Sequence, residues 1–530
     1  MCACASTRWR LAQTLRLLGL LLAAAPGAGC QWDVGRLDIQ LVHTAREGQN
    51  PLEDIRWLRV RVDGEGMSPR VAEVDASASS AQAFSALPVG QVVQVRVEGL
   101  NGSGYVQSRG LSRPFEVRAG DQTLYLYLSL VGMFSGPPSA TEVSAPGFAD
   151  RFRTSSRTGE GRAFHAGAEL PDGLVLLAGG VGAEAQDDPL ARRDASVALR
   201  SAERFDPTAG AFLLDSSWPE CVADERLCLS AGRAFFSLDR LVGRDTYLAV
   251  GGEPVDSEFA AETFEPEDVH FFPARVGLAR PRTRAGQVTL PEPTQAVVVA
   301  GGLDAAGVPL ASVEVFDASL GTFSEVGALG EARVAPAMVA TPEGVLVIGG
   351  WTTFREWPVE QAEDRTASAR IDRITFDGGP RVESLGSLLH ARAEASAVLL
   401  PDQGEGARVF VCGGLPGPGD ALDSCELVDP ATGASAESSR VLPRYRHTAT
   451  LLDDGRVLIA GGFNDDGPAS AYNNAQILDP LGGRVTVRKD MVAKRAGHTA
   501  HLLRNGMVLL VGGQGANGQP AIEDYELFNP

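Results

Sequence analysis

An apolar run that ends in Gly-Gly recurs seven times along this 530-residue chain, closing at Gly180, Gly252, Gly302, Gly350, Gly414, Gly462 and Gly513. An Arg opens another apolar stretch 16 to 21 residues before each Gly-Gly: Arg162, Arg233, Arg282, Arg333, Arg392, Arg444 and Arg495. Turn signals such as Pro171-Asp172-Gly173, Asp453-Asp454-Gly455 and Arg504-Asn505-Gly506 lie between the two stretches, which is the chemistry of tight β-hairpins. A third apolar segment follows, ending near Asp-Pro, as in Glu203 to Pro207, Glu314 to Asp317, Ile374 to Asp377 and Glu426 to Pro430. A fourth follows in six of the seven repeats, for example around Phe212 and Phe323. Four short antiparallel strands in about 50 residues make one blade of a propeller. The Gly-Gly pairs are not phosphate cradles, because no Lys-Ser or Lys-Thr follows them and no helix opens after them.

The period, the Arg and His start, the Gly-Gly pair and the Glu-x-x-Asp-Pro element resemble the kelch repeat family from residue 162 to the end. That resemblance implies an all-β, seven-bladed kelch-type β-propeller over residues 148–530. The chain stops just after the third strand of the last repeat, so Phe148 to Ser155 is expected to supply that blade's outer strand. The seven Arg residues are expected to be buried partners of the Glu positions or of backbone carbonyls. His165, His447 and His498 share one repeat position, where the kelch resemblance implies structural packing and no metal.

The first 29 residues hold Arg8, Arg10 and Arg16 and no acid, then an apolar stretch from Leu17 to Ala25, then small residues before Cys30. This is a secretory signal, and the Cys after small residues resembles the bacterial lipoprotein signal, which makes Cys30 the expected lipid anchor. Two close pairs of cysteines remain, Cys221 with Cys228 and Cys412 with Cys425, which read as two short-loop disulfides in an exported chain. Residues 30–131 show period-two patterning, as in Leu37 to Val42 and Ile55 to Val62. They predict a small Ig-like or fibronectin-like β-sandwich, joined to the propeller by a Gly, Pro and Ser-rich linker at 132–147.

There are 67 Asp and Glu against 47 Lys and Arg, and the resulting net charge of −20 excludes nucleic acid as a natural partner. The two longest loops after Gly-Gly run from Val181 to Ala202 and from Trp351 to Arg373. Both disulfides map to the same face, and long loops collected on one face of a repeat array point to binding. Trp351, Phe354, Arg355 and Trp357 are the preferred contacts, as exposed aromatics and Arg of the kind that dominate recognition hot spots. Asp187, Asp188, Arg192 and Arg193 form a second group. The expectation is therefore a protein without catalytic activity or cofactor, anchored through lipid at the cell envelope, with the outer membrane preferred. It would bind an envelope protein or glycan through its top loops. The alternative is a copper-radical oxidase, because the segment from His447 to Gly462 also resembles the propeller of galactose oxidase-like proteins.

Overall fold

The computed structural model describes residues 34–530 except 45, 47, 77–83, 139–147, 149–150, 154–160, 183–197, 215–226, 242, 256–260, 275–276, 291–293, 295, 355–364, 405, 465–470 and 516–523. The signal segment and Cys30 lie outside the described residues. Among those described, every regular element is a β-strand. The chain divides into two compact units, one comprising residues 1–154, 206–214 and 529, the other the remainder.

The first unit has two sheets around one core. The larger sheet includes Ile55–Gly64, Met67–Asp75, Val92–Asn101 and Val106–Leu111; the smaller one holds Val34–Val42 between Phe84–Pro88 and Gly120–Tyr127. The alternation read from the sequence is the burial pattern: Leu58, Val60 and Val62 point inward against Leu37, Ile39 and Leu126, while Trp57, Arg59 and Arg61 face outward. Val34–Val42 pairs in parallel with Gly120–Tyr127, which brings the beginning and end of the sandwich side by side. Phe152–Arg153 pairs with Ala211–Leu213 in this unit and so is not the closing strand of the last repeat, as the sequence suggests. Aromatic packing fixes that choice, because Phe148 and Phe152 both meet the ring of Tyr125, at 5.4 and 5.8 Å.

The second unit carries the repeat, as antiparallel sheets consistent with a propeller. Sheet four, for example, runs Ala337–Thr341, Gly344–Ile348, Arg370–Thr375 and Arg381–Ser387. The inner strands of the sheets, in chain order, are Ala166–Glu169, Ser237–Arg240, Gly286–Thr289, Ala337–Thr341, Ser396–Leu400, Thr448–Leu451 and Thr499–Leu502. Each neighbours the next, and the last neighbours the first. The second strands, such as Val175–Ala178 and Val508–Val511, are buried at every residue. A sheet covered on both faces requires this continuous apolar run, so the runs that announced the repeat are its core.

What joins sheet to sheet is the Arg and Gly-Gly pair. In each repeat the Arg guanidinium donates through Nη1 to the carbonyl of the first Gly of its own sheet, as Arg162 does to Gly179 at 2.8 Å and Arg495 to Gly512 at 2.8 Å. The second Gly then donates its N–H to the carbonyl of the next repeat's Arg. Gly180 bonds Arg233, Gly350 bonds Arg392, Gly462 bonds Arg495, and Gly513 returns to Arg162, all at 2.8 to 2.9 Å. The two glycines have φ near +60° and +100°, as in Gly349 and Gly350. A methyl on Gly349 would overlap the Arg392 carbonyl oxygen, so only Gly fits there.

The other nitrogen of each Arg reaches an acid on the third strand. The pairs are Arg162–Glu203, Arg233–Glu262, Arg282–Glu314, Arg333–Asp372, Arg392–Glu426 and Arg495–Glu526, all buried. The sixth sheet differs: Arg444 meets the neutral Gln476 at 2.8 Å, and burial brings this guanidinium down to about 10. The amide nitrogen of Gln476 is buried without a hydrogen-bond partner among the described residues.

Gln476→Glu is therefore expected to stabilise the chain, by about 1 kcal/mol, because it completes the ion pair and removes an unsatisfied donor. Gly349→Ala is expected to cost about 3 kcal/mol or more. Gly378→Ala, also at positive φ but in open space, is expected to cost about 1 kcal/mol. Urea denaturation measures all three.

Candidate functional site

The inner strands begin and the second strands end on one edge of the ring, the edge marked by Gly-Gly. There, two residues after each Arg, stand Phe164, Phe235, Arg284, Ala335, Glu394, Arg446 and Gly497. All seven have φ between 49° and 61°. Their backbones form a belt: Phe164 N–H donates to Gly497 O, Phe235 to Phe164, Arg284 to Phe235, Ala335 to Arg284, Arg446 to Glu394 and Gly497 to Arg446, at 2.8 to 3.3 Å. That belt explains the left-handed geometry, which costs a non-Gly residue about 1 kcal/mol or more. Gly would satisfy it at every step, yet the chain puts large or charged groups at five of the seven positions.

Those groups form one layer. The Phe164 and Phe235 rings stack at 4.4 Å, with Arg284 3.5 Å over Phe235 and Arg446 5.3 Å from Phe164. The Phe164 ring lies on Gly497, where a Cβ would collide with it. Arg446 grips both oxygens of Glu394, with Nη2 to Oε1 at 3.0 Å, and Arg284 reaches Glu253 at 3.1 Å. Burial would raise the Glu394 carboxyl, but Arg446, supported by Arg284 and the Trp351 indole N–H at 3.3 Å, outweighs it and holds the group below the usual carboxylate range. The layer is thus a charged and aromatic floor across the Gly-Gly end of the axis. Sequence reasoning missed it, although the signal was present: aligned on the Arg, this is a variable position set among fixed ones.

The loop residues expected as contacts lie elsewhere. Trp351 is 0% exposed and Phe354 6%, so neither is a surface contact. Trp351 directly follows Gly-Gly, where other repeats carry Leu303, Leu415 and Phe463, and it fills the same core. The insertion folds back through a short hairpin, Trp351–Thr353 with Thr366–Ala367, which sets Phe354 5.5 Å from the Arg284 guanidinium. Arg365, at the far end of the insertion, caps both aromatics. Arg355 and Trp357, and the second group Asp187, Asp188, Arg192 and Arg193, lie outside the described residues. Cys412 and Cys425 form a disulfide between facing residues of adjacent strands, buried beside Gly413. Cys228 is disulfide-bonded, while Cys221 lies outside the described residues.

The three shared-position histidines are structural in their contacts. His165 bonds the Thr499 hydroxyl at 2.8 Å, His447 that of Ser396 at 2.7 Å and His498 that of Thr448 at 3.0 Å. A copper-radical centre needs Tyr and His ligands and a Cys free to cross-link to Tyr, and the described residues do not fit it. The described cysteines are disulfide-bonded. Tyr247 donates to the Glu169 carbonyl, Tyr445 packs on Phe463, Tyr472 lies 5.2 Å from the Arg444 guanidinium, and Tyr525 lies edge-on to Phe205. Among the described residues no three His, Cys, Asp or Glu side chains gather as a metal set.

No family model matches the sequence, and no curated protein matches it. Among solved structures, the chain is similar to a fungal alcohol oxidase of the AA5 family in complex with copper, at 14% identity and a TM-score of 0.52, covering 70% of this chain and 74% of that one. It is also similar to YjhT, at 12% identity and a TM-score of 0.43, over 62% of this chain and 98% of that one. The first likeness supports the fold alone, an all-β chain of antiparallel sheets consistent with a propeller. It also overturns the expectation that the chain has no catalytic activity, because the protein sharing its fold is an enzyme, so the architecture does not carry that exclusion.

Replacing Cys412 and Cys425 by Ala is expected to cost about 3 kcal/mol through the 13-residue separation they close. Thermal unfolding measures the loss, and peptide mapping without reductant should recover the linked pair.

Proposed function

We propose that this chain is a seven-bladed, kelch-type propeller of the cell envelope, exported and held through lipid on Cys30, with an Ig-like or fibronectin-like sandwich ahead of it. Its Gly-Gly face captures a protein or glycan partner. The single observation that carries this reading is the axial floor. A belt that Gly alone would satisfy is decorated with Phe164, Phe235 and Arg446, which stay partly exposed, and with Arg284 and Glu394, whose side chains are buried and support them; stacked aromatics and guanidiniums are the groups that dominate recognition surfaces. The two long loops follow Gly-Gly in sequence and so start from the same edge. Membrane attachment runs through the lipid only, with the outer membrane preferred, and the net charge of −20 disfavours nucleic acid.

The test uses exported residues 31–530, photo-crosslinked to an envelope extract and separately applied to a panel of envelope glycans. The expected result is one dominant partner that is lost, by about tenfold or more in apparent affinity, in Phe164→Ala and Arg446→Ala variants whose melting behaviour stays cooperative. Undiminished capture by both variants would sink the assignment of the floor.

A further inference from the structure

The junctions between neighbouring sheets are not alike. Three residues after each Arg, one position stands at the start of the inner strand, and its occupant differs from sheet to sheet. Junctions one/two to four/five carry Phe236, Ala285, Pro336 and Ala395. Junctions five/six, six/seven and seven/one carry His447, His498 and His165, each more than nine-tenths buried. The Cε1 edge of each imidazole lies against the first Gly of the preceding sheet, at Gly413, Gly461 and Gly512. Nε2 bonds a hydroxyl across the junction, and Nδ1 is buried without a hydrogen-bond partner among the described residues. A fourth imidazole, His501, packs on Gly167 at junction seven/one, with a buried Nε2 that also lacks a partner.

From this arrangement we infer that junctions five/six, six/seven and seven/one form an acid-labile seam, so that mild acid loosens sheets six and seven while the rest of the ring holds. The charged groups that bear on these rings are cations and other imidazoles. Arg162, His501 and His498 face His165; Arg444 and Arg392 face His447; Arg495 and His447 face His498. An added proton therefore enters a buried site that already holds guanidiniums. Burial first, and then these neighbours, hold the three shared-position imidazoles well below the usual value, and burial alone brings His501 to about 4.

The sign follows from linkage. The unfolded chain takes up protons near pH 6.5 and the folded one does not, so the stability these junctions supply is full above about 6.5 and falls as the pH drops below it. Junction two/three behaves in the opposite sense. There Asp239, bonded to the Gln287 amide, is raised by burial to about 6, so acid relieves a buried charge.

Hydrogen exchange by mass spectrometry on the exported chain, at pH 7.5 and at pH 5 with correction for intrinsic rates, reads the seam directly. The opening constant of sheets six and seven is expected to rise about tenfold per titrating imidazole for each pH unit below about 6.5. Sheets two to four should stay protected, and the change should reverse on neutralisation. A variant with His165, His447 and His498 all replaced by Ala, the occupant of two other junctions, is expected to lose most of the acceleration. A single His498→Phe variant, which borrows the occupant at Phe236, should lose it at junction six/seven and serves if the triple variant does not fold. Equal acceleration in all seven sheets, or an unchanged acid response in the variants, would overturn the seam.

Discussion

The fold depends on a guanidinium that does three things at once. Each buried Arg ties the Gly-Gly exit of its own sheet, reaches the third strand, where its partner is an acid in every sheet but the sixth, and offers its backbone carbonyl to the Gly-Gly of the sheet before it. A buried cation is costly unless it is paired and hydrogen-bonded, and here the pairing partners are the elements that need to be joined. The requirement is reciprocal. The carbonyl approaches so closely that no side chain is tolerated on the first Gly, and the carboxylate also accepts backbone N–H groups at the sheet entrance, as Glu526 does from Val492 and Ala493.

On this repeated frame the chain places features that do not repeat. The axial belt has one backbone geometry and five residue types over seven positions, and the imidazole position is filled by His on only one arc. A repeated backbone with varied side chains lets the frame carry stability while individual positions are released for other chemistry. The Arg284, Glu394 and Arg446 network shows how that is managed: each charge placed near the axis is met by an opposite charge or an aromatic face. The fold is similar to that of a copper oxidase, and among the described residues the cysteines are disulfide-bonded.

What was legible in the sequence follows from the same physics. Gly-Gly, Arg and Glu were readable because backbone geometry and buried charge admit few residue types, and the second strands because burial on both faces demands an uninterrupted apolar run. Trp351 and Phe354 were misread because the length of their loop drew attention from position: a residue directly after Gly-Gly is core, whatever insertion follows. Asp372 escaped notice because a shorter carboxylate breaks the Glu pattern, and Arg370 at 3.0 Å takes up its second oxygen. The floor of Phe164, Phe235, Arg284, Glu394 and Arg446 was invisible as a unit, because residues about 50 positions apart in sequence meet only when the inner strands gather around an axis. The pairing of Phe152–Arg153 was likewise decided by tertiary contacts, through Tyr125, that no local pattern announces.

The central claim is that one repeated hydrogen bond, from the second Gly to the next Arg carbonyl, runs unbroken around the ring. Amide exchange at neutral pH, resolved to Gly180, Gly252, Gly302, Gly350, Gly414, Gly462 and Gly513, tests it most directly. The account predicts slow exchange at all seven, with Gly513, whose acceptor Arg162 lies 351 residues earlier in the chain, protected like the others. A Gly513 amide exchanging at the rate of an open loop while the other six stay protected would contradict it.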